Sequence, residues 1–158
     1  MYKSTGDSVY LHEALSASRW LIEEAGFVRT RAGIWFHYSD HPSLRYTIYN
    51  VTGLAVGFLS KLSGTIFKID RKSEKMMEYA QFLWSLAADG SRFLLNNKHR
   101  SGLWCYSARN NIIDNIHNGS ILTGLWEFTL VAGNRNRHHL NDLLELTDKY
   151  YLKFYNKV

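Results

Sequence analysis

The sequence predicts an all-α protein built from helical hairpins, in a single domain that covers residues 1–158. Apolar residues recur at helical spacing through most of the chain. No segment shows the sustained alternation with β-branched residues that is typical of a strand. The one proline, Pro42, allows long uninterrupted helices elsewhere. A chain of this length is typical of one domain.

The first predicted helix begins at Asp7 or Ser8, because either side chain can accept a bond from a free amide at a helix start. It runs to about Ala25, and Gly26 ends it, as a C-terminal glycine usually does. A long loop follows over Phe27–Tyr49. Loops of this length without secondary structure are usually functional.

Four further helices are predicted after this loop. The third of the five ends near Ala88 or continues to about Leu95, and the pattern leaves both ends open. The remaining elements are a second helix from Asn50 to about Leu62 that ends at Ser63 and Gly64, a third helix from Asp70 or Ser73, a second long loop from Asn96 to His117, a fourth helix from Asn118, a short turn from Gly133 to Arg137, and a fifth helix from about His138 to Tyr155.

An internal repeat links the two long loops. Each copy reads glycine, leucine or isoleucine, tryptophan, Tyr-Ser, a polar stretch, asparagine and then a leucine-rich helix. Trp104 follows Trp35 by 69 positions, and Asn118 follows Asn50 by 68. Repeat arrays place their insertions on one face, which is commonly the binding face. We therefore expect the two long loops to converge on one surface.

The second copy carries a motif that resembles a known family. Its residues read GLWCYS at 102–107 and IDNIHNG at 113–119. They are similar to the W-x-Y-S … D-N-x-H-x-G signature of six-hairpin α/α-toroid proteins from bacterial polysaccharide gene clusters. The same superfamily includes sugar epimerases, unsaturated glucuronyl hydrolases and polysaccharide lyases. With five predicted helices, the resemblance implies a partial toroid of about two and a half helical hairpins.

Two functions follow from this resemblance and from the short length. The first is a carbohydrate-active toroid protein of polysaccharide metabolism, of hydrolase, epimerase or lyase type, as a fragment or a remnant of a full toroid. The second is a helical binding or assembly module without chemistry of its own. The motif favours the first function, and the length favours the second.

Asp114 and His117 are the candidate catalytic residues. A carboxylate and an imidazole three residues apart can do the general acid/base work that sugar hydrolysis and epimerisation require. The alternative is that Asp114 and Asn115 satisfy free amides at a helix start, an explanation that needs no substrate. The candidate substrate-binding residues are Trp35, Tyr38, Trp104, Tyr106 and Asn115. Their aromatic rings could stack on sugar rings or could plug the top of the helix bundle.

No metal and no cofactor are predicted. His37, Asp40 and His41 are metal-ligand types, but their spacing matches no standard zinc motif. Cys105 would need His117 as a base to act as a nucleophile, and a lone cysteine is more often a small core residue.

The expected partner is a poly- or oligosaccharide. The net charge of +5 is spread along the chain, so we interpret it mainly as solvated surface and not as a nucleic-acid interface. Two cation pairs precede the tryptophan motifs and would suit an acidic polysaccharide, or else form a solvated rim. They are Arg29 with Arg31, and Lys98 with Arg100. Two and a half hairpins leave apolar helix faces without neighbours, which predicts a homo-oligomer.

Cysteine use and hydropathy predict where the protein works. Cys105 is the single cysteine and can form no internal disulfide, which favours a reducing compartment. The first residues include no apolar run of signal-peptide length. No stretch approaches the ~18 consecutive apolar residues of a membrane span. We therefore expect a cytoplasmic protein without a membrane span.

Overall fold

The computed structural model describes residues 6–69, 72–133 and 145, and these residues are mostly helical. The elements in chain order are α1 (Ser8–Arg19) with a π-helical continuation (Trp20–Ala25), β1 (Phe27–Thr30), β2 (Gly33–Phe36), a 3-10 turn (Pro42–Leu44), α2 (Tyr49–Ile69), α3 (Glu74–Asn96) and α4 (Asn115–Ala132). None of these helices is long and apolar enough to cross a membrane. The predicted fifth helix lies outside the described residues.

Helix α1 begins and ends where the sequence predicts. The Asp7 carboxylate accepts a hydrogen bond from the backbone N–H of Val9 at 2.9 Å. The N–H of Gly26 donates to the carbonyl of Leu21 at 3.0 Å, which closes the wider π turn. Gly26 has a φ of 79°, a conformation that glycine adopts at little cost and that stops the helix.

The all-α prediction is wrong for the start of the first long loop, where β1 and β2 form an antiparallel β-hairpin. Phe27 pairs with Phe36, and Thr30 pairs with Gly33. The strands have four residues each, so they are too short to show a clear alternation. Tertiary contacts hold them instead, since Ile34 and Phe36 are buried and Gly33 lies directly against the backbone of α3.

Helix α2 continues past the predicted stop at Ser63 and Gly64. The Ser63 hydroxyl donates to the carbonyl of Ala80 in α3 at 2.8 Å, so it bonds across two helices and not to its own helix end. A Cβ at Gly64 would approach Val131 of α4 to 2.8 Å. Both residues therefore serve helix packing, although their sequence pattern is typical of a helix end.

The remaining helix boundaries to compare with the prediction are those of α3 and α4. Ser73 caps α3 by accepting from the N–H of Met76 at 3.4 Å, and α3 takes the longer of its two predicted ends. Gly90 lies inside α3. The position favours glycine because a Cβ there would lie 2.7 Å from Val56 of α2. Helix α4 begins at Asn115, three residues before the predicted Asn118.

The two repeat copies lie side by side, because α2 and α4 run parallel to each other. Gly53 contacts Ile121, and Gly57 contacts Gly124. Further along, Lys61 forms a 2.6 Å ion pair with Glu127. Each contact joins residues 66 to 68 positions apart, close to the shift between the sequence copies. Close approach of the backbones depends on glycine, since a Cβ at Gly124 would overlap the carbonyl of Gly53.

Helix α3 connects α2 to α4. These three helices and the β-hairpin enclose one hydrophobic core. Its completely buried members are Phe36, Val56, Leu59, Ile66, Ala80, Leu83, Leu86, Ala87, Leu94, Trp104 and Ile121. The expected partial toroid is not evident in the described residues, which form α1, the β-hairpin and a parallel helix pair with its connecting helix, and no ring.

Candidate functional site

The two long loops meet at the N-terminal ends of α2 and α4, as expected. Ile48 and Ser107 form an antiparallel bridge between them. The N–H of Ala108 donates to the carbonyl of Thr47 at 3.2 Å. The N–H of Tyr49 donates to the carbonyl of Tyr106 at 3.4 Å. We call this region, residues 46–49 with residues 106–117, the loop surface.

Trp104 lies in the core below the loop surface. Its exposed fraction is 0%, and its indole N–H donates to the carbonyl of Leu94 at 2.8 Å. Asn118 fixes its backbone, since the amide oxygen accepts from the N–H of Trp104 and the amide nitrogen donates to its carbonyl, both at 2.8 Å. No ring face is left for a sugar, so for Trp104 the burial fits the alternative in which the ring plugs the helix bundle.

Asp114 and His117 form a close pair at the start of α4. The Asp114 carboxylate accepts from the backbone N–H of His117 at 2.8 Å, which makes it the N-cap of the helix. The His117 Nδ1 also lies 2.7 Å from both carboxylate oxygens. The Asp114 side chain is 33% exposed, and the His117 side chain is 29% exposed. Asp114 therefore caps the helix and pairs with the His117 ring at the same time.

The pKa of Asp114 is lowered. Burial raises it, but this effect is outweighed by hydrogen bonds from the backbone N–H and ring of His117, by the charge of that ring and by the N–H of Ile116. The carboxylate is thus ionised at neutral pH and acts as an acceptor. It holds the proton of His117 on Nδ1, so in the neutral ring Nε2 carries the free lone pair.

Tyr106 holds the imidazole from the side. The two rings meet edge to face, with centroids 4.5 Å apart and an interplanar angle of 89°. The N–H of Tyr106 donates to the carbonyl of Ile112 at 2.6 Å, which closes the intervening residues into a turn. Tyr106 is partly buried, so it fixes the orientation of His117 rather than offering an open ring face.

The residues of the first copy lie on the other loop. Trp35 is half-buried in β2, and its ring contacts His37 edge to face at 5.0 Å. The His37 Nδ1 lies 2.8 Å from the carbonyl of Ala25. Tyr38 is 56% exposed and is the one predicted aromatic with a largely open ring. Asn115 is an exposed residue in the first turn of α4.

The metal-ligand types of the first loop bond locally. The hydroxyl of Ser39 donates to Asp40 at 3.0 Å, and His41 Nδ1 lies 2.8 Å from the hydroxyl of Ser43. Within the described part of the chain, no group of three or more His, Cys, Asp or Glu side chains could hold a metal ion. Cys105 is partly buried beside Tyr49, whose pKa is raised by burial and then by the charge of Cys105.

The sequence did not single out Arg109 and Tyr46. The Arg109 guanidinium lies over the Tyr46 ring, 5.1 Å from its centroid. The two residues are 63 positions apart, and only the pairing of the loops brings them together. The sequence signal available was an arginine in the second loop and a tyrosine in the first.

A cavity of about 450 Å³ lies elsewhere, between the C-terminal halves of α2 and α4. It contains no predicted site residue. The lining residues are Lys61, Gly64, Phe67, Lys68, Glu127, Leu130 and Val131.

Comparison with protein-family models, with curated proteins and with solved structures finds no match to this chain.

Proposed function

We propose that the loop surface binds an oligosaccharide and that His117, held by Asp114, transfers a proton at the bound sugar. The observation that carries the proposal is the pairing of the two side chains at 2.7 Å on a partly exposed surface. An ionised carboxylate on Nδ1 orients the ring and accepts from its N–H, which leaves Nε2 as a general base.

Comparison of the two repeat copies supports this assignment. With the shift of 68 positions, Tyr46 corresponds to Asp114, and Tyr49 corresponds to His117. Helix α2 therefore begins without a carboxylate or an imidazole at these positions. The repeat scaffold does not require an Asp-His pair at a helix start, so a function of the second copy accounts for it better than folding alone.

The reaction class is proton transfer at a sugar carbon or a glycosidic oxygen, as in epimerisation, elimination or hydrolysis. Asp114 is unsuited to donate a proton, because its pKa is lowered and it stays ionised. His117 would take the proton, and Asp114 would stabilise the imidazolium that forms. A positioned acid or base of this kind contributes roughly 10²- to 10⁴-fold in rate.

The test uses variants that separate capping from chemistry. Asp114→Asn keeps a good N-cap, since asparagine caps helices about as well as aspartate, but it removes the charge that orients His117. His117→Gln removes the base. Both purified variants and the parent chain are incubated with a panel of oligosaccharides, and products are followed by NMR and by the ultraviolet absorbance of unsaturated sugars.

We expect turnover by the parent chain and a loss of at least about 10²-fold in both variants, with unchanged helical circular dichroism. Asp114→Ala, which removes cap and charge together, should in addition lower the melting temperature. If Asp114→Asn and His117→Gln retain full turnover, the pair is a helix cap and the proton-transfer role is lost.

A second candidate function is the assembly module, and one observation favours it. Three large apolar side chains on α4 are exposed, namely Ile116 at 81%, Leu130 at 59% and Trp126 at 40%. Their spacing of ten and four residues places them on one side of the helix. Such patches mark partner surfaces. Light scattering of the parent chain and of Leu130→Glu tests this, since the patch should hold a homo-oligomer that the charge disrupts.

A further inference from the structure

The cavity between the C-terminal halves of α2 and α4 has both apolar and charged walls. Its volume of about 450 Å³ lies within the range of about 300 to 1,000 Å³ that small-molecule sites usually have. It lies at the opposite end of the two helices from the loop surface. The proposed function of the loop surface makes no use of this cavity.

The floor of the cavity is apolar. Gly64 and Val131 close it, because a Cβ on Gly64 would lie 2.8 Å from a γ-carbon of Val131. Phe67, which is partly buried, and Leu130, which is 59% exposed, line the cavity from one helix each. Since the α2 lining spans residues 61–68, the cavity extends for about 10 Å along the helix axis. A short hydrocarbon chain that lies along this axis would bury its methylene groups.

The charged walls consist of two lysines and one carboxylate. Lys61 Nζ lies 2.6 Å from Glu127 Oε1, so these two charges neutralise each other. Lys68 is exposed, and it forms no ion pair with any residue that the structure describes. A lysine in the last turn of α2 also suits the negative end of the helix dipole, but this leaves its N–H donors available to a ligand. The cavity therefore has an unpaired positive charge at one end and apolar surface along its length.

We propose that this cavity binds a medium-chain fatty acid, with the carboxylate on Lys68 and the hydrocarbon chain against Phe67 and Leu130. A charge-assisted hydrogen bond between an ammonium group and a carboxylate is stronger than a neutral one. Burial of each methylene group adds to the affinity. An amphipathic cation fits less well, since Glu127 is already paired with Lys61.

A second copy of the chain could compete for the same surface. Leu130 belongs to the exposed apolar patch on α4, so a homo-oligomer could cover it. A two-fold interface centred on the cavity would bring the same patch of both copies together, including Lys68. Like charges disfavour such a contact, whereas a carboxylate neutralises the lysine. The charge of the cavity therefore favours the fatty acid as its occupant.

The experiment compares ligands of matched length and variants of matched charge. Calorimetry measures the binding of hexanoate, octanoate and decanoate, each below its critical micelle concentration, and of octanol and octylamine. The proteins are the parent chain, Lys68→Gln, Glu127→Gln and Lys98→Gln. Lys98 is an exposed cation just past the end of α3, and that end of α3 contacts Trp104 near the start of α4. Its loss therefore changes the net charge far from the cavity.

We expect the affinity of the acids to rise about fourfold for each methylene group that the cavity buries. Octanoate should bind the parent chain about fivefold more tightly than octanol, because a partly exposed ion pair adds to the apolar contact. Lys68→Gln should remove this difference, whereas Lys98→Gln should preserve it. Glu127→Gln should strengthen the binding of octanoate, because it releases Lys61 as a second cation, and octylamine should bind most weakly.

Three results would overturn the proposal. Equal binding of octanoate and octanol by the parent chain would show that Lys68 holds no carboxylate. An equal loss in Lys68→Gln and Lys98→Gln would show that net charge alone explains the effect. Failure of every acid to bind at millimolar concentration would refute the fatty-acid site, and a second copy would then be the occupant if Leu130→Glu converts an oligomer into a monomer. Each of these results leaves the proposed function of the loop surface intact.

Discussion

Replacement of Trp104 by alanine should be one of the most destabilising single changes in the described chain. The side chain is completely buried between α3 and the loop surface. Large-to-small changes of an aromatic core residue cost about 3 to 5 kcal/mol, because apolar contacts are lost and a cavity remains. The lost indole bond adds less, since the carbonyl of Leu94 still accepts from the N–H of Asn97 at 3.1 Å.

Urea unfolding followed by circular dichroism measures this cost directly. For a chain of this size, 3 to 5 kcal/mol corresponds to a fall in melting temperature of roughly 6 to 20 °C. Trp104→Phe keeps most of the ring and should cost clearly less than Trp104→Ala. Tyr38→Ala, which replaces a side chain that is 56% exposed, serves as the control and should stay within about 1 kcal/mol of the parent chain.

If Trp104→Ala and Tyr38→Ala have the same midpoint at the same slope, Trp104 is not a core residue. Such a result would also return Trp104 to the list of side chains that could stack on a sugar.

Three further predictions concern the helix pair, the cap and the exposed patch. Gly124→Ala should destabilise the fold by more than about 1 kcal/mol in urea melts, because its Cβ would overlap the Gly53 carbonyl, whereas Thr123→Ala on the exposed side should change little. The lowered pKa of Asp114 contributes stability that is present above its unfolded value of about 3.9 and is lost as the pH falls through the lower folded value. Melting midpoints of the parent chain and Asp114→Asn should therefore converge in strong acid, and a constant difference at every pH would contradict this linkage. Leu130→Glu should reduce the mass measured by light scattering, and a monomeric parent chain would refute the oligomer.

The sequence predicts the helices well where their ends carry local chemistry. Asp7, Ser73 and Gly26 act through neighbouring amides, so their effect depends on a few residues and is visible in the pattern. It fails where the same residue types serve tertiary packing. Ser63 and Gly64 resemble a helix end but bond and pack across helices, and the β-hairpin is held by α3. Nothing local distinguishes these uses.

The candidate site divides in the same way. The Asp114–His117 pair has a spacing of three residues at a helix start, so its contact follows from local geometry and was predictable. The burial of Trp104 and the pairing of Arg109 with Tyr46 depend on how two distant loops meet. Periodicity and motif spacing predict that the two long loops meet, but they do not predict which residues of the loops come into contact.

The repeat itself distinguishes scaffold from chemistry. Asn118 is common to both copies, and it bonds the backbone of Trp104 and the carbonyl of Asp114, so its position is structural. The copies differ where Tyr46 and Tyr49 stand in place of Asp114 and His117. A residue that the fold needs should recur with the fold, whereas a residue that a single ligand needs should occur once. Asp114→Tyr combined with His117→Tyr tests whether the fold needs the pair, because the second copy would then match the first. The double variant should stay folded, with a loss of no more than about 2 kcal/mol from the missing cap, and should lose all sugar binding or turnover. Global unfolding of this variant would show instead that the pair is structural.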